Sequence, residues 1–459
     1  MTYAKNDTEN SIPLVPLDSE GLEKWKSAAA GAQVRWVESS GFTAAPGQLC
    51  PLADGEGSIA SYLFGMAEDG YLYQMADLPG RLPGGTYRLA SEWDASQRSQ
   101  AALGWGLATY SFNRYKKGNG NERRDLVLDD DISARVRSLL EAQLLVRDLV
   151  NTPPEDMGPE ELEDVVRLVA ERFDAKFEAV RDGDLLTKNF PAIHAVGRAS
   201  SRAPRLVGFS WGGKDAPLVA LVGKGVCFDT GGLNLKNTTG MALMKKDMGG
   251  AAHALALAQL VMQHRLPVRL KLLIPAVENS VSGNAYRPGD VIPTRKGLTV
   301  EIGNTDAEGR VILADALAYA SEYEPELIID FATLTGAARI AMGTDLPPLF
   351  SNDDSLSAGI QAAGDDCEDP LWTLPLWQPY NKLIESKVAD INNNASSPYG
   401  GCITAALFLE HFVSDDDHWA HIDTFAWNQT SRPGRPEGGE ALGLRAAYSY
   451  LEDRFPPGS

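Results

Sequence analysis

The stretch LTVEIGNTDAEGRVILADALAYA, residues 298–320, decides the fold. Its opening, LTVEI (298–302), alternates and is β-branched, as a strand does. Its close, VILADALAYA (311–320), is apolar and Ala-rich and reads as a buried helix. Between them NTDAEGR (304–310) places Asp306, Glu308 and Arg310 two positions apart in a strand-to-helix turn. Open α/β sheets put their ligands at such turns. Two acids and an arginine there suit a metal site with an anion clamp. Acids before a helix can also simply cap its first amides and complement its dipole.

A second segment answers the first. Residues 217–247 read PLVALVGKGVCFDTGGLNLKNTTGMALMKKD, and 217–222 form a continuous apolar run suited to a buried parallel strand. Lys224 and Asp229 follow at its carboxyl end, then Gly231, Gly232, Lys236, Lys245 and Asp247. Gly223-Lys224-Gly225 lacks the spacing of a phosphate loop. Gly231 and Gly232 are suited to a tight turn that brings Asp229 and Lys236 toward one point. Cys227 reads as strand packing, and Lys245 and Lys246 as supporting or solvated groups beside Asp247. Peptide-bond hydrolysis needs an activated water and a stabilised oxyanion, and two divalent cations about 3.5–4 Å apart supply both. Asp229, Asp247, Asp306 and Glu308 offer the anionic oxygens such a pair requires.

The segments VGKGVCFDTGGLNLK, Met-x-x-Met-Lys-x-Asp (241–247) and NTDAEGR together resemble the leucine aminopeptidase (cytosol aminopeptidase) family of two-metal exopeptidases. The resemblance covers roughly residues 150–450 and is loose over the first 130. It implies that Asp229 and Glu308 bridge two metal ions, Zn²⁺ or Mn²⁺. Asp306 would complete the more labile site; Asp247 and the neutral amine of Lys224 would complete the tighter one. It further implies that Lys236 polarises the substrate carbonyl and that Arg310 holds a bicarbonate proton relay. Met244, Thr333, Leu334 and Gly336 would contact the substrate, although Met244 and Leu334 also read as ordinary core. The family's assembly is a homohexamer with sites facing an inner cavity, acting on peptides with a free amino terminus. The segment GGEALGLRAAY (438–448) departs from the family's pattern and leaves the floor of the specificity pocket, and leucine preference, open.

Outside these motifs the chain is an ordinary globular sequence, 44% hydrophobic and 23% charged over 459 residues. No apolar run approaches the ~18 residues of a membrane span. The start, MTYAKNDTENSIPL, lacks the features of a secretory signal, and its first dozen residues read as disordered. Four scattered cysteines without a Cys-x-x-Cys pattern suit reduced thiols in the cytoplasm. None of the six histidines falls in a ligand motif, so they are expected to be structural or superficial.

The expected architecture is α/β. A smaller N-terminal α/β domain (1–130) leads through a connecting helix (131–150) to a three-layer α/β/α catalytic domain (151–459) with a mostly parallel sheet. In the first domain AQVRWVES (32–39) and YRLASEW (87–93) read as strands, a helix is expected near 95–111, and KKGNGNERRD (116–125) as a surface loop. Three other readings compete: a DNA-binding architectural protein, a catalytically silent relative, and a dipeptidase, for example for cysteinylglycine. A formal charge of −20 opposes phosphate binding, leaving Arg114–Arg124 and the arginines at 198–205 as the local candidates. The complete ligand set opposes the silent relative, and the altered segment 438–448 keeps the dipeptidase open.

Overall fold

A computed structural model of the protein describes residues 2–4, 10–67, 70–116 and 122–458. The chain divides into two compact units, residues 1–144 with 430–437, and 145–429 with 438–459. The helix Asp130–Asn151 runs from the first unit into the second. The return of 430–437 to the first unit has no signature in local sequence.

Among the described residues, the first unit holds a six-stranded sheet. Its strands run Tyr3–Ala4, Arg124–Val127, Gly85–Leu89, Ile12–Leu17, Ile59–Gly65 and Leu49–Ala53 across the sheet, parallel except for the last pair. Three expectations change here. Tyr3–Ala4 is a strand rather than a disordered start, because it pairs with Leu126 and Val127. AQVRWVES lies in the helix Gly31–Ser39: Val34 and Val37, three apart, turn toward the unit while Trp36 is 54% exposed. A one-face helical spacing had imitated alternation. Arg124 and Asp125 open a strand rather than close a loop; of that expected loop, residues 117–121 lie outside those described.

The second unit is built on a nine-stranded sheet among the described residues. Its centre is parallel: Trp419–Asp423, Leu327–Ala332, Leu218–Gly223 and Arg269–Asn279 lie side by side. Antiparallel strands flank it, Pro348–Ser351 on one side and Arg205–Trp211 on the other. The three adjoining strands 218–223, 327–332 and 419–423 are buried at every position, as parallel strands covered on both faces must be. Side chains alternate between two helical layers. Ala220, Val222 and Ile328 join the core made with Val311, Leu313 and Leu317 of the helix Glu308–Ser321. Phe331 instead stacks on His253 of the helix Gly249–Gln263.

Two local features place the site. The strand Leu218–Gly223 breaks at Lys224: residues 218–222 pair with 269–273, and 225–229 with 276–279 of the same neighbour. At the break, the Lys224 amide donates to Phe331 O (3.0 Å) and its carbonyl accepts from Ala251 N (2.8 Å). The strand before NTDAEGR, Thr299–Glu301, belongs to a separate three-stranded sheet with Val291–Pro293 and Ile391–Asn392. NTDAEGR is therefore a strand-to-helix turn, but it is delivered to the main sheet's carboxyl edge from outside that sheet.

Candidate metal centre

Five groups from four chain segments meet at that edge. Lys224 stands at the strand break and Asp229 ends the strand Gly225–Asp229. Asp247 lies in the 3₁₀ turn Met244–Met248, Asp306 in the NTDAEGR turn, and Glu308 opens its helix. Asp229, Asp306 and Glu308 each place a carboxylate oxygen within 4.8 Å of the other two. Lys224 Nζ is 2.7 Å from Asp247 Oδ2 and 3.0 Å from Glu308 Oε1, and donates to Thr333 O at 2.9 Å. Lys236 Nζ is 2.8 Å from Asp229 Oδ2 and 2.5 Å from Asp306 Oδ1.

Local geometry fixes these positions. Gly231 and Gly232 take φ of +86° and +63°, folding the chain back so that Lys236 N reaches Thr230 O at 2.9 Å. Thr305 ties this loop to NTDAEGR, with Oγ1 donating to Gly231 O (2.7 Å) and accepting from Asn234 N (2.8 Å). At Gly309 any Cβ would lie 2.5 Å from Lys224 Cε, so the helix can approach the lysine only there without a side chain.

Charge is concentrated to an unusual degree. Burial, then Asp247, pushes the Asp229 carboxyl up to about 6. Burial and Asp229 hold Glu308 well above the carboxylate range. Burial pulls Lys224 down, but Asp247, Glu308 and Asp229 outweigh it and hold its ammonium above the ordinary lysine range. Lys236 is likewise raised, burial being outweighed by Asp229 and Glu308. Four carboxylates thus face two ammonium groups, and three of the four are almost fully buried. The residues fit a divalent cation: hard oxygens converge, and their shared negative charge exceeds what the lysines neutralise.

All these side chains line one cavity of about 370 Å³, as do Met244, Thr333, Leu334 and Gly336. Arg310 is not among its lining residues. Its Nη1 donates to Asn393 O at 2.8 Å, while Nε is buried without a hydrogen-bond partner among the described residues. Burial draws this guanidinium down to about 10 against the pull of Glu308 and Asp423, so an anion beside it would relieve a poorly solvated cation. No residue of 438–448 lines the cavity; its far wall comes instead from 334–339, 343–348 and 423–425.

Several contributors carry no motif. Asn279 donates from Nδ2 to Asp229 Oδ1 (2.8 Å) and Thr305 O (3.0 Å), orienting the carboxylate. A polar residue closing the apolar run LKLLIPAVEN is its only sequence signal. Asp423 accepts from Leu334 N (2.9 Å), Thr335 N (3.3 Å) and Thr335 Oγ1 (2.6 Å), shaping the loop after Phe331. Lys246 is buried rather than solvated, and burial draws its ammonium down to about 8. Lys245 donates to Asn151 O at 2.7 Å.

No histidine lines the cavity. His421 is buried against Asp330 Oδ1 at 2.7 Å, and His253 sits between Gly249 O (2.6 Å) and Leu442 N (3.0 Å). All four cysteines are free, with Cys227 buried in its strand. Three of the arginines weighed for phosphate binding are engaged within the fold, whereas Arg114 and Arg123 are exposed. Arg202 donates to Pro154 O and Glu155 O, both at 2.7 Å, Arg205 to Glu163 at 2.8 Å, and Arg124 to Leu82 O at 2.6 Å. Among the described residues, no helix is long and apolar enough to cross a membrane.

Comparison with known proteins agrees with this geometry. The cytosol aminopeptidase family catalytic domain matches residues 144–448, and the M17 aminopeptidase N-terminal domain matches residues 12–128. The first unit, only loosely similar in its motifs, therefore also has its counterpart in the family. A probable cytosol aminopeptidase of Roseiflexus castenholzii is 39% identical over 365 residues, covering 76% of this chain and 74% of that protein. The crystal structure of the Coxiella burnetii cytosol aminopeptidase superposes with a TM-score of 0.95 at 49% identity, covering 99% of each chain. The bottromycin maturation enzyme BotP in complex with Mn superposes with a TM-score of 0.87 at 31% identity, over 97% of this chain and 99% of that one. With both its parts matched and its acids gathered at one cavity, the chain belongs to the cytosol aminopeptidase family of metal-dependent aminopeptidases.

Proposed function

We propose that the protein is a two-metal aminopeptidase that removes the first residue from peptides with a free amino terminus. The observation that carries this is the meeting of Lys224, Asp229, Asp247, Asp306 and Glu308 at one cavity that also holds Lys236. Asp229 and Glu308 would be shared between two ions, Asp306 would serve one, and Asp247 with the deprotonated amine of Lys224 the other. Zn²⁺ and Mn²⁺ both suit this oxygen-rich set with one amine. When bound, the two cations supply Lewis acidity and an acidified water, and bicarbonate on Arg310 supplies a proton acceptor.

The chain's own residues do the rest. Lys236, cationic and only 17% exposed, donates to the carbonyl oxygen as negative charge grows there. Asn279 and the Gly231 amide, both 2.8 Å from Asp229 Oδ1, hold that carboxylate in one orientation. Thr333 fixes Asp247 Oδ1 at 2.7 Å. Met244, Thr333, Leu334 and Gly336 would seat the substrate's first residue and backbone.

The protein would work in the cytoplasm as a homohexamer. The cytosol aminopeptidase names of its relatives and four free cysteines support the first point. Ile340 and Tyr399, apolar side chains 84% and 81% exposed, support a covered surface. A cysteinylglycine-type dipeptidase remains the alternative within the same chemistry. Metal analysis after chelation and dialysis against Mn²⁺ tests the site. Two equivalents per chain are expected, falling toward one in Asp247→Ala. A single equivalent in the unaltered protein, or two in the variant, contradicts the ligand assignment.

A further inference from the structure

Lys246 is buried with 6% of its surface exposed, and it lines the cavity. Among the described residues its Nζ makes no hydrogen bond or ion pair; its neighbour is the Phe425 ring, 4.5 Å from Nζ to the centroid. The lysines near it in sequence are all matched: Lys224 and Lys236 by carboxylates, Lys245 by Asn151 O. A single cation–π contact offsets only part of the hydration that a buried ammonium loses.

The acids that could answer it are occupied. Asp247 is engaged by Lys224 and Thr333, and Asp423 by Leu334 and Thr335. Arg339 adds a second cation to the same wall, 5.4 Å from the Phe425 centroid and without an ion pair among the described residues. Two cations, Lys246 and Arg339, thus stand on the cavity wall near the Asp247 and Asp423 carboxylates, and neither makes an ion pair among the described residues.

Resting on the aminopeptidase reading above, we propose that Lys246 is a specificity determinant that pairs with a carboxylate of the substrate. Two sources carry that chemistry: the side chain of an acidic first residue, and the terminal carboxylate of a dipeptide. Either would complete the ion pair that the fold leaves open, and an uncharged isostere would leave the ammonium unmatched.

The test compares kcat/KM for pairs of substrates that differ only in that charge. A glutamyl anilide against a glutaminyl anilide reads the first source, and leucylglycine against its amide the second. The metal-loaded enzyme is expected to favour the carboxylate about tenfold or more in at least one pair. That preference should fall toward unity in Lys246→Met and return in Lys246→Arg. Lys246→Gln replaces the methionine variant if the latter does not fold. Ratios within about twofold of unity in the unaltered enzyme would overturn the inference, as would a preference that survives loss of the charge. Flat ratios with leucyl substrates still cleaved defeat this inference alone. Failure to cleave any of the four substrates defeats the aminopeptidase reading as well.

Discussion

Replacing Lys236 by alanine should separate catalysis from metal binding. Its Nζ lies 2.8 Å from Asp229 Oδ2 and 2.5 Å from Asp306 Oδ1. At 2.8 Å and an effective dielectric near 20, its attraction to Asp229 is about 6 kcal/mol before hydration and entropy are counted. Losing that cation leaves both carboxylates more attractive to divalent ions, so metal content should hold or rise. The oxyanion, in contrast, loses a charged donor, and removal of one such donor costs about 10²–10³ in kcat, roughly 2.7–4 kcal/mol. The assay is kcat on a leucyl anilide with saturating Mn²⁺, alongside metal content by mass spectrometry after gel filtration. A kcat within about fivefold of the unaltered enzyme would refute the carbonyl-polarising role. A metal-depleted variant would show that Lys236 organises the ligands instead.

Other perturbations probe the surroundings. Gly309→Ala would drive a methyl to 2.5 Å from Lys224 Cε; metal binding should weaken and stability drop by about 1–3 kcal/mol, measured by titration and thermal melts. Asn279→Ala releases Asp229 from its 2.8 Å hydrogen bond and should weaken metal affinity about 10–100-fold, while unchanged affinity would remove Asn279 from the site. Chelated protein should lose stability as pH rises from about 4 to 6: Asp229, ordinarily near 3.8 and raised to about 6, holds its proton more tightly folded than unfolded across that interval. Glu308 shifts the same way, and Mn²⁺ should restore more of the melting temperature at pH 7 than at pH 5. A chelated melting temperature that rises with pH would contradict the sign.

The parts of this protein legible in its sequence are those where chemistry and local geometry coincide. Asp229, Asp306 and Glu308 sit in turns whose glycines and flanking periodicity mark them, and the structure brings all three within 4.8 Å. The buried strands 218–223 and 327–332 announce themselves as unbroken apolar runs. Illegible were features fixed by distant pairing. Thr299–Glu301 looks like any strand, and its pairing with Val291–Pro293 and Ile391–Asn392 places it in a separate sheet. Asn279 and Asp423 act on residues 50 and 89 positions away, a separation that no local motif encodes. The sequence leaves Lys246 open between a supporting and a solvated group, because its burial depends on the fold around Phe425. Gly31–Ser39 shows the limit of short windows, where a helical face and a strand share one pattern.

The central claim is that these carboxylates and lysines hold metal for removal of a free amino-terminal residue. It is tested most directly by comparing a leucyl peptide with its amino-acetylated twin, after chelation and again after Mn²⁺ or Zn²⁺ is restored. The account predicts that cleavage vanishes on chelation, returns with metal, and occurs only with the free amine. Cleavage of the acetylated peptide, or undiminished cleavage after complete metal removal, would contradict it.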